Sequence, residues 1–97
     1  MLKINTLLQA DNTLAEINIL RNTAVLKRRG RSRSAHYADI KAGLFVKPVL
    51  IGLRAVGTPE YEVNALNAAR ISGMTDHGIR NLVMQLEANR KTTGLEE

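Results

Sequence analysis

Near the C-terminal end of the chain, Ile79, Leu82, Val83 and Leu86 recur at i, i+3, i+4 and i+7, the period of a helix that buries one face. Thr75-Asp76 just before them supply a capping hydroxyl and a carboxylate at the positive end of the helix dipole, and Arg90-Lys91 suit its other end. A second stripe, Val63, Leu66 and Ile71 with Ala69 between, predicts a helix starting at Thr58-Pro59-Glu60, with Thr58 as cap and Pro59 in first position, and stopping at Gly73. In the segment before it the period changes. Pro48 rules out continued helix, while Val46, Val49, Ile51 and Val56 favour strand, so two short strands over about 48–51 and 54–57 form a hairpin with Gly52-Leu53 as a type II′ turn. Upstream again, Asn22 caps a short helix over 23–29 that faces Val25 and Leu26 inward. Gly30 suits the left-handed closing position, and Ser32 caps a further helix running to about Ala42 and stopped by Gly43.

Residues 22–43 therefore read as helix, tight glycine turn, helix, the unit whose second helix enters the major groove of DNA. With the hairpin behind it, the predicted fold class is mainly α with a small β-hairpin: a winged helix-turn-helix with one or two C-terminal helices. Ile4, Leu7 and Leu8 fit two helical turns before Asp11-Asn12-Thr13 interrupts, and Ile17, Ile19 and Leu20 lead weakly into the core. The expected organisation is an arm or short helix over 1–16, a winged core over 17–72, and a C-terminal helix with a frayed tail over 73–97. At 97 residues this is one domain with a small core.

Charge changes the picture most. Nine basic residues and one acid lie between Arg21 and Arg54, whereas the rest of the chain carries five basic residues and eight acids. A segregated positive patch of this kind attracts a polyanion through its field and through counterion release. Cysteine is absent, which excludes disulfides, thiolate metal sites and cysteine nucleophiles. Two histidines in separate helices make a poor metal site, so no cofactor is expected. No apolar run approaches the roughly 18 residues of a membrane span, and the start is too polar for a signal-peptide core, so a cytoplasmic protein is expected.

The candidate contacts follow. Arg33 and Ser34 open the second helix, where side chains meet base edges, and Arg can bond guanine O6 and N7 together. Ser32 is foremost a cap, and a cap aimed at phosphate does both jobs, since backbone N–H groups at helix starts also bind anions. Tyr37 lies one turn beyond Arg33 on the same face, either with its hydroxyl on phosphate or packed on the first helix. Lys27, Arg28, Arg29 and Arg31 surround the turn and read as phosphate clamps, against the plainer reading of a solvated face. Lys41, Lys47 and Arg54 lie at the far helix end and on the wing, with Arg54 beside the hairpin turn. His36 reads as a boundary residue of the core. Tyr37 or Ser34 as a strand-transfer nucleophile is disfavoured because covalent transfer needs a surrounding set of activating groups, so no enzyme is expected. The stripe Ile79, Leu82, Val83 and Leu86 reads first as core, with a homodimer contact as the alternative.

Residues Ser32-Arg33-Ser34 with Tyr37, Gly43, Phe45, Lys47-Pro48-Val49, Gly52, Arg54-Ala55-Val56-Gly57, and Pro59 with Glu62-Val63 together resemble the AlpA family of phage regulatory proteins. The resemblance spans roughly 17–71 and rests on the combination of short motifs. It implies a DNA-binding regulator of prophage or integrated-element genes, akin to excisionases. Thr58 stands where the family pattern usually has Trp, and His36 and Asp39 fill recognition-helix positions that are often apolar.

Double-stranded DNA is thus the expected partner, with no membrane and no small-molecule substrate. Three alternatives stay open: an excisionase-like architectural factor that bends DNA, an RNA-binding protein using Lys27–Ser34 as an arginine-rich segment, and a pure interaction module that docks on an acidic partner. Only Phe45, Tyr37 and Tyr61 are aromatic, which argues against a stacking platform for single-stranded RNA.

Overall fold

In the computed structural model, which describes residues 17–91, the elements run β1 (Ile19–Leu20), α1 (Asn22–Arg29), α2 (Arg33–Lys41), β2 (Val49–Gly52), β3 (Ala55–Pro59), α3 (Glu60–Ile71) and α4 (Asp76–Asn89). The expected arm over 1–16 and the tail past Lys91 lie outside the described residues. Helices dominate, and the three strands form one antiparallel sheet in the order β1-β3-β2. This is the mainly α winged helix-turn-helix expected from the pattern.

Local chemistry explains the helix-turn-helix. Gly30 closes α1 at φ 69°, with its N–H donating to the carbonyls of Leu26 and Lys27. That conformation is costly for a residue with a Cβ and free for glycine. Ser32 then caps α2, its hydroxyl accepting from the Ala35 N–H at 3.2 Å. Gly43, at φ 80°, stops the chain from continuing as helix.

Four boundaries differ from expectation, each for a physical reason. Asn22 is the first residue of α1 and not its cap, because its carboxamide donates to the Tyr37 hydroxyl across the turn. Thr58 is a strand residue and not a helix cap: it pairs with Leu20, while the Glu60 N–H donates to the Asn18 carbonyl at 2.8 Å. The strand β1 was not visible as such, since two residues carry no period. The hairpin turn is Leu53-Arg54, not Gly52-Leu53. Gly52 pairs with Ala55, Ile51 is an extra residue in the register, and neither central residue takes a positive φ, so the turn is not type II′.

One core serves the four helices of the described residues. Val25 of α1, Phe45 and Val46 of the loop between α2 and β2, Val63, Leu66 and Ala69 of α3, and Ile79 and Val83 of α4 are buried together. Leu20, Ile40, Leu44, Leu82 and Leu86 pack against them. The stripe on α4 is therefore occupied within a single chain, and packing runs straight across the boundary expected at 72/73. Thr58, at the position where the family pattern usually has Trp, is 2% exposed. There the sheet closes tightly. A Cβ on Gly57 would sit 2.5 Å from Ile19 Cγ2 and 2.9 Å from the Leu20 carbonyl oxygen, so glycine is what lets β1 lie on β3.

Candidate nucleic-acid interface

The second helix of the turn, α2, has two unlike faces. Arg33, Ser34, Tyr37, Ala38 and Lys41 are exposed. At 100° per residue they fall within an arc of about 140°. His36 (1% exposed) and Asp39 (7%) point the other way, into the protein.

Two polar groups on the inner face of a helix would be expensive without partners. Here the basic turn supplies them. Arg29 donates to an Asp39 carboxylate oxygen at 2.8 Å and to His36 Nδ1 at 2.8 Å, with its guanidinium carbon 4.0 Å from the Phe45 ring centroid. Arg31 grips the same carboxylate with two bonds, at 3.0 Å and 2.8 Å. Because arginine only donates, His36 Nδ1 must be the acceptor and the ring proton sits on Nε2. Burial, then the Arg29 charge, lower the His36 pKa, which keeps the ring neutral. The His36 ring centroid lies 5.2 Å from that of Phe45. The two residues that depart from the apolar family pattern are thus matched by two arginines of the turn.

This redistributes the predicted site. Arg29, whose side chain is 8% exposed, is a structural residue, and the expectation that it clamps phosphate gives way to its pairing with Asp39. Arg28 turns toward α3, bonding Glu60 twice at 3.1 Å and Asn64 at 3.2 Å, although it keeps 40% exposure. Arg31 is tied to Asp39 on one side and 44% exposed on the other. Together Arg28, Arg29 and Arg31 line a cleft of about 640 Å³ with Arg70 and Asp76, away from the exposed α2 stripe. Lys41 and Lys47 line a second cleft, of about 300 Å³, at the C-terminal end of α2. Arg54 stands at the hairpin turn. Lys27, Arg33, Lys41, Lys47 and Arg54 pair with no carboxylate among the described residues.

Some residues escaped the sequence reading. Arg80 Nε donates to the Ala42 carbonyl at 2.9 Å, which caps the end of α2 and joins Lys41 and Lys47 around the second cleft. Arg90 reaches back to the buried Glu62 carboxylate and to the Lys47 carbonyl at 2.8 Å. No local spacing announces contacts between positions so far apart in the chain. Asp39 stood out as the single acid of the basic segment and as a polar residue at an often apolar position of its helix, and those were the available clues to its pairing.

Among the described residues no cluster of His, Asp or Glu is suited to hold a metal, and no helix is long and apolar enough to cross a membrane. Comparison with curated proteins and with solved structures gives no match. The model of the family described as prophage CP4-57 regulatory protein (AlpA) matches residues 18–70, which contain β1, the helix-turn-helix, the wing and nearly all of α3. That match covers more than half of the chain and coincides with the elements that carry the exposed α2 face. The chain therefore belongs to the AlpA family of prophage regulatory proteins and, as a member of it, is a DNA-binding regulator.

Proposed function

We propose that this protein is a sequence-specific regulator of transcription for a prophage or integrated element, acting in the cytoplasm on double-stranded DNA. The exposed stripe of α2 enters the major groove. Arg33 and Ser34, at its N-terminal end, face base edges, and Tyr37 and Lys41 follow one and two turns later. Lys27, Lys47 and Arg54 hold phosphates and set the register, with Arg31 adding charge from the turn. The observation that carries this reading is the division of α2: one face is locked by Arg29, Arg31 and Phe45, and the other presents Arg33, Ser34, Tyr37 and Lys41 to solvent.

Selection from a random duplex pool tests it. The wild-type protein should return one short motif. Arg33→Ala should lower affinity for that motif by about 1–3 kcal/mol and broaden the preference at one base pair, as expected for loss of a bidentate guanine contact. Lys47→Ala should weaken binding to all sequences alike and reduce its salt dependence. Recovery of unrelated sequences by the wild type would overturn sequence-specific readout.

A further inference from the structure

The wing ends in an apolar tip that the helix-turn-helix does not explain. Leu53 is 96% exposed, Leu50 75% and Ile51 41%, all within four consecutive residues. None of them serves the core. Leu53 and Arg54 form the two-residue turn, and the extra residue Ile51 distorts β2 just before it. From Phe45 to Pro59 the charged residues are Lys47 and Arg54, with no carboxylate. An aliphatic point flanked only by cations complements a polyanion with an apolar interior, and stacked bases between phosphates are that surface.

We propose that the tip is a wedge that inserts Leu53 between two base pairs from the minor groove, with Arg54 on a phosphate at the edge of that groove, and so bends the duplex. Proteins that enter the minor groove part base steps with aliphatic side chains in this way and kink DNA as they do. The reach is sufficient. Lys47, just before β2, shares a cleft with Lys41 at the end of α2. The four residues of β2 extend about 13 Å from there, comparable to the roughly 12 Å width of a major groove. On this proposal the tip meets the minor groove next to the major groove that α2 occupies. Flexible pyrimidine–purine steps, which unstack at least cost, are the expected insertion points. This inference rests on the DNA reading above and adds a shape-changing activity to it.

The test uses the duplex recovered by selection, with 2-aminopurine placed at successive steps and dyes at both ends. Wild-type protein should raise 2-aminopurine fluorescence at one step and shorten the end-to-end distance by energy transfer. Leu53→Ser should lose both signals while keeping affinity within about tenfold, because phosphate contacts supply most of the binding. Leu53→Met should restore them. Thermal melting checks that each variant is folded, which the exposure of Leu53 favours. The wedge is overturned if wild type binds with no unstacked step, if Leu53→Ser bends DNA as wild type does, or if a folded Leu53→Ser binds no duplex. It is equally overturned if the serine change abolishes self-association and leaves the bend intact, since the tip then serves a second copy. Failure of the wild type to bind any duplex at low salt would instead sink the DNA reading itself.

Discussion

Asp39→Ala is expected to cost about 3–5 kcal/mol of folding stability, the penalty for leaving a buried charge without its partner. The charge left behind is Arg29, buried beside Phe45 and His36. A domain of this size has about 5–15 kcal/mol in total, so the variant should unfold at far lower urea. Arg31 matters less to the loss, because its guanidinium is half in water. The triple variant Arg29→Met/His36→Leu/Asp39→Leu should recover most of the loss, since it removes the whole buried polar set, His36 Nδ1 included, and well-packed apolar residues replace such a set at little cost. A loss below about 1 kcal/mol, as for a surface pair, would show that the turn is not held this way. Acid titration adds a second readout. Burial alone would raise the Asp39 carboxyl, but the bonds and charges of Arg31 and Arg29 outweigh it and hold the group below its ordinary value. The unfolded chain therefore takes up that proton first, so the stabilisation is intact above about pH 4 and is lost as pH falls through the folded value. His36, lowered by burial and by Arg29, acts in the same direction from about pH 6.5 downward. The Asp39→Ala protein should lack the lower of these two steps.

Arg90→Ala should be comparably severe, again about 3–5 kcal/mol by urea unfolding, and for the mirrored reason. Glu62 is 0% exposed, and Arg90 is the cation that bonds both of its oxygens. Arg90 also donates to the Lys47 carbonyl, so one side chain ties the end of α4 to α3 and to the start of the wing. Residue 90 lies beyond the segment that matches the AlpA family, yet its contacts and the burial of Ile79 and Val83 make α4 a support of the winged fold. A protein cut after residue 89 should behave like Arg90→Ala. Glu62→Leu with Arg90→Met should recover stability. A mild effect of Arg90→Ala would mean that Glu62 tolerates burial without its cation.

How much of this was legible beforehand depends on the range of the interaction concerned. Gly30 and Ser32 announce the turn because backbone sterics and capping act over three or four residues, and both behave as read. The α4 stripe was legible for the same reason. The hairpin was found but its turn was misplaced by one residue, because the register is set by pairing with β3 and by the bulge at Ile51, not by the glycine alone. Thr58 looked like a cap until β1 claimed it from 38 positions away. The basic turn was the least legible part. Counting charge cannot tell an arginine that faces solvent from one that reaches under a helix to a lone carboxylate, and Arg29 does the second. What remains exposed is narrower than the charge count suggested: a stripe on α2 and a few flanking cations. That narrowing sharpens the functional reading, since it leaves Arg33 as the arginine at the exposed N-terminal end of α2 that pairs with no carboxylate among the described residues.

Amide chemical shifts followed while the selected duplex is titrated into labelled protein test the central claim most directly. The account predicts that the largest changes fall at Arg33, Ser34, Tyr37, Ala38 and Lys41, with smaller ones at the wing tip and none on the exposed side of α4. Changes concentrated on α3 and α4, with the α2 stripe silent, would contradict it.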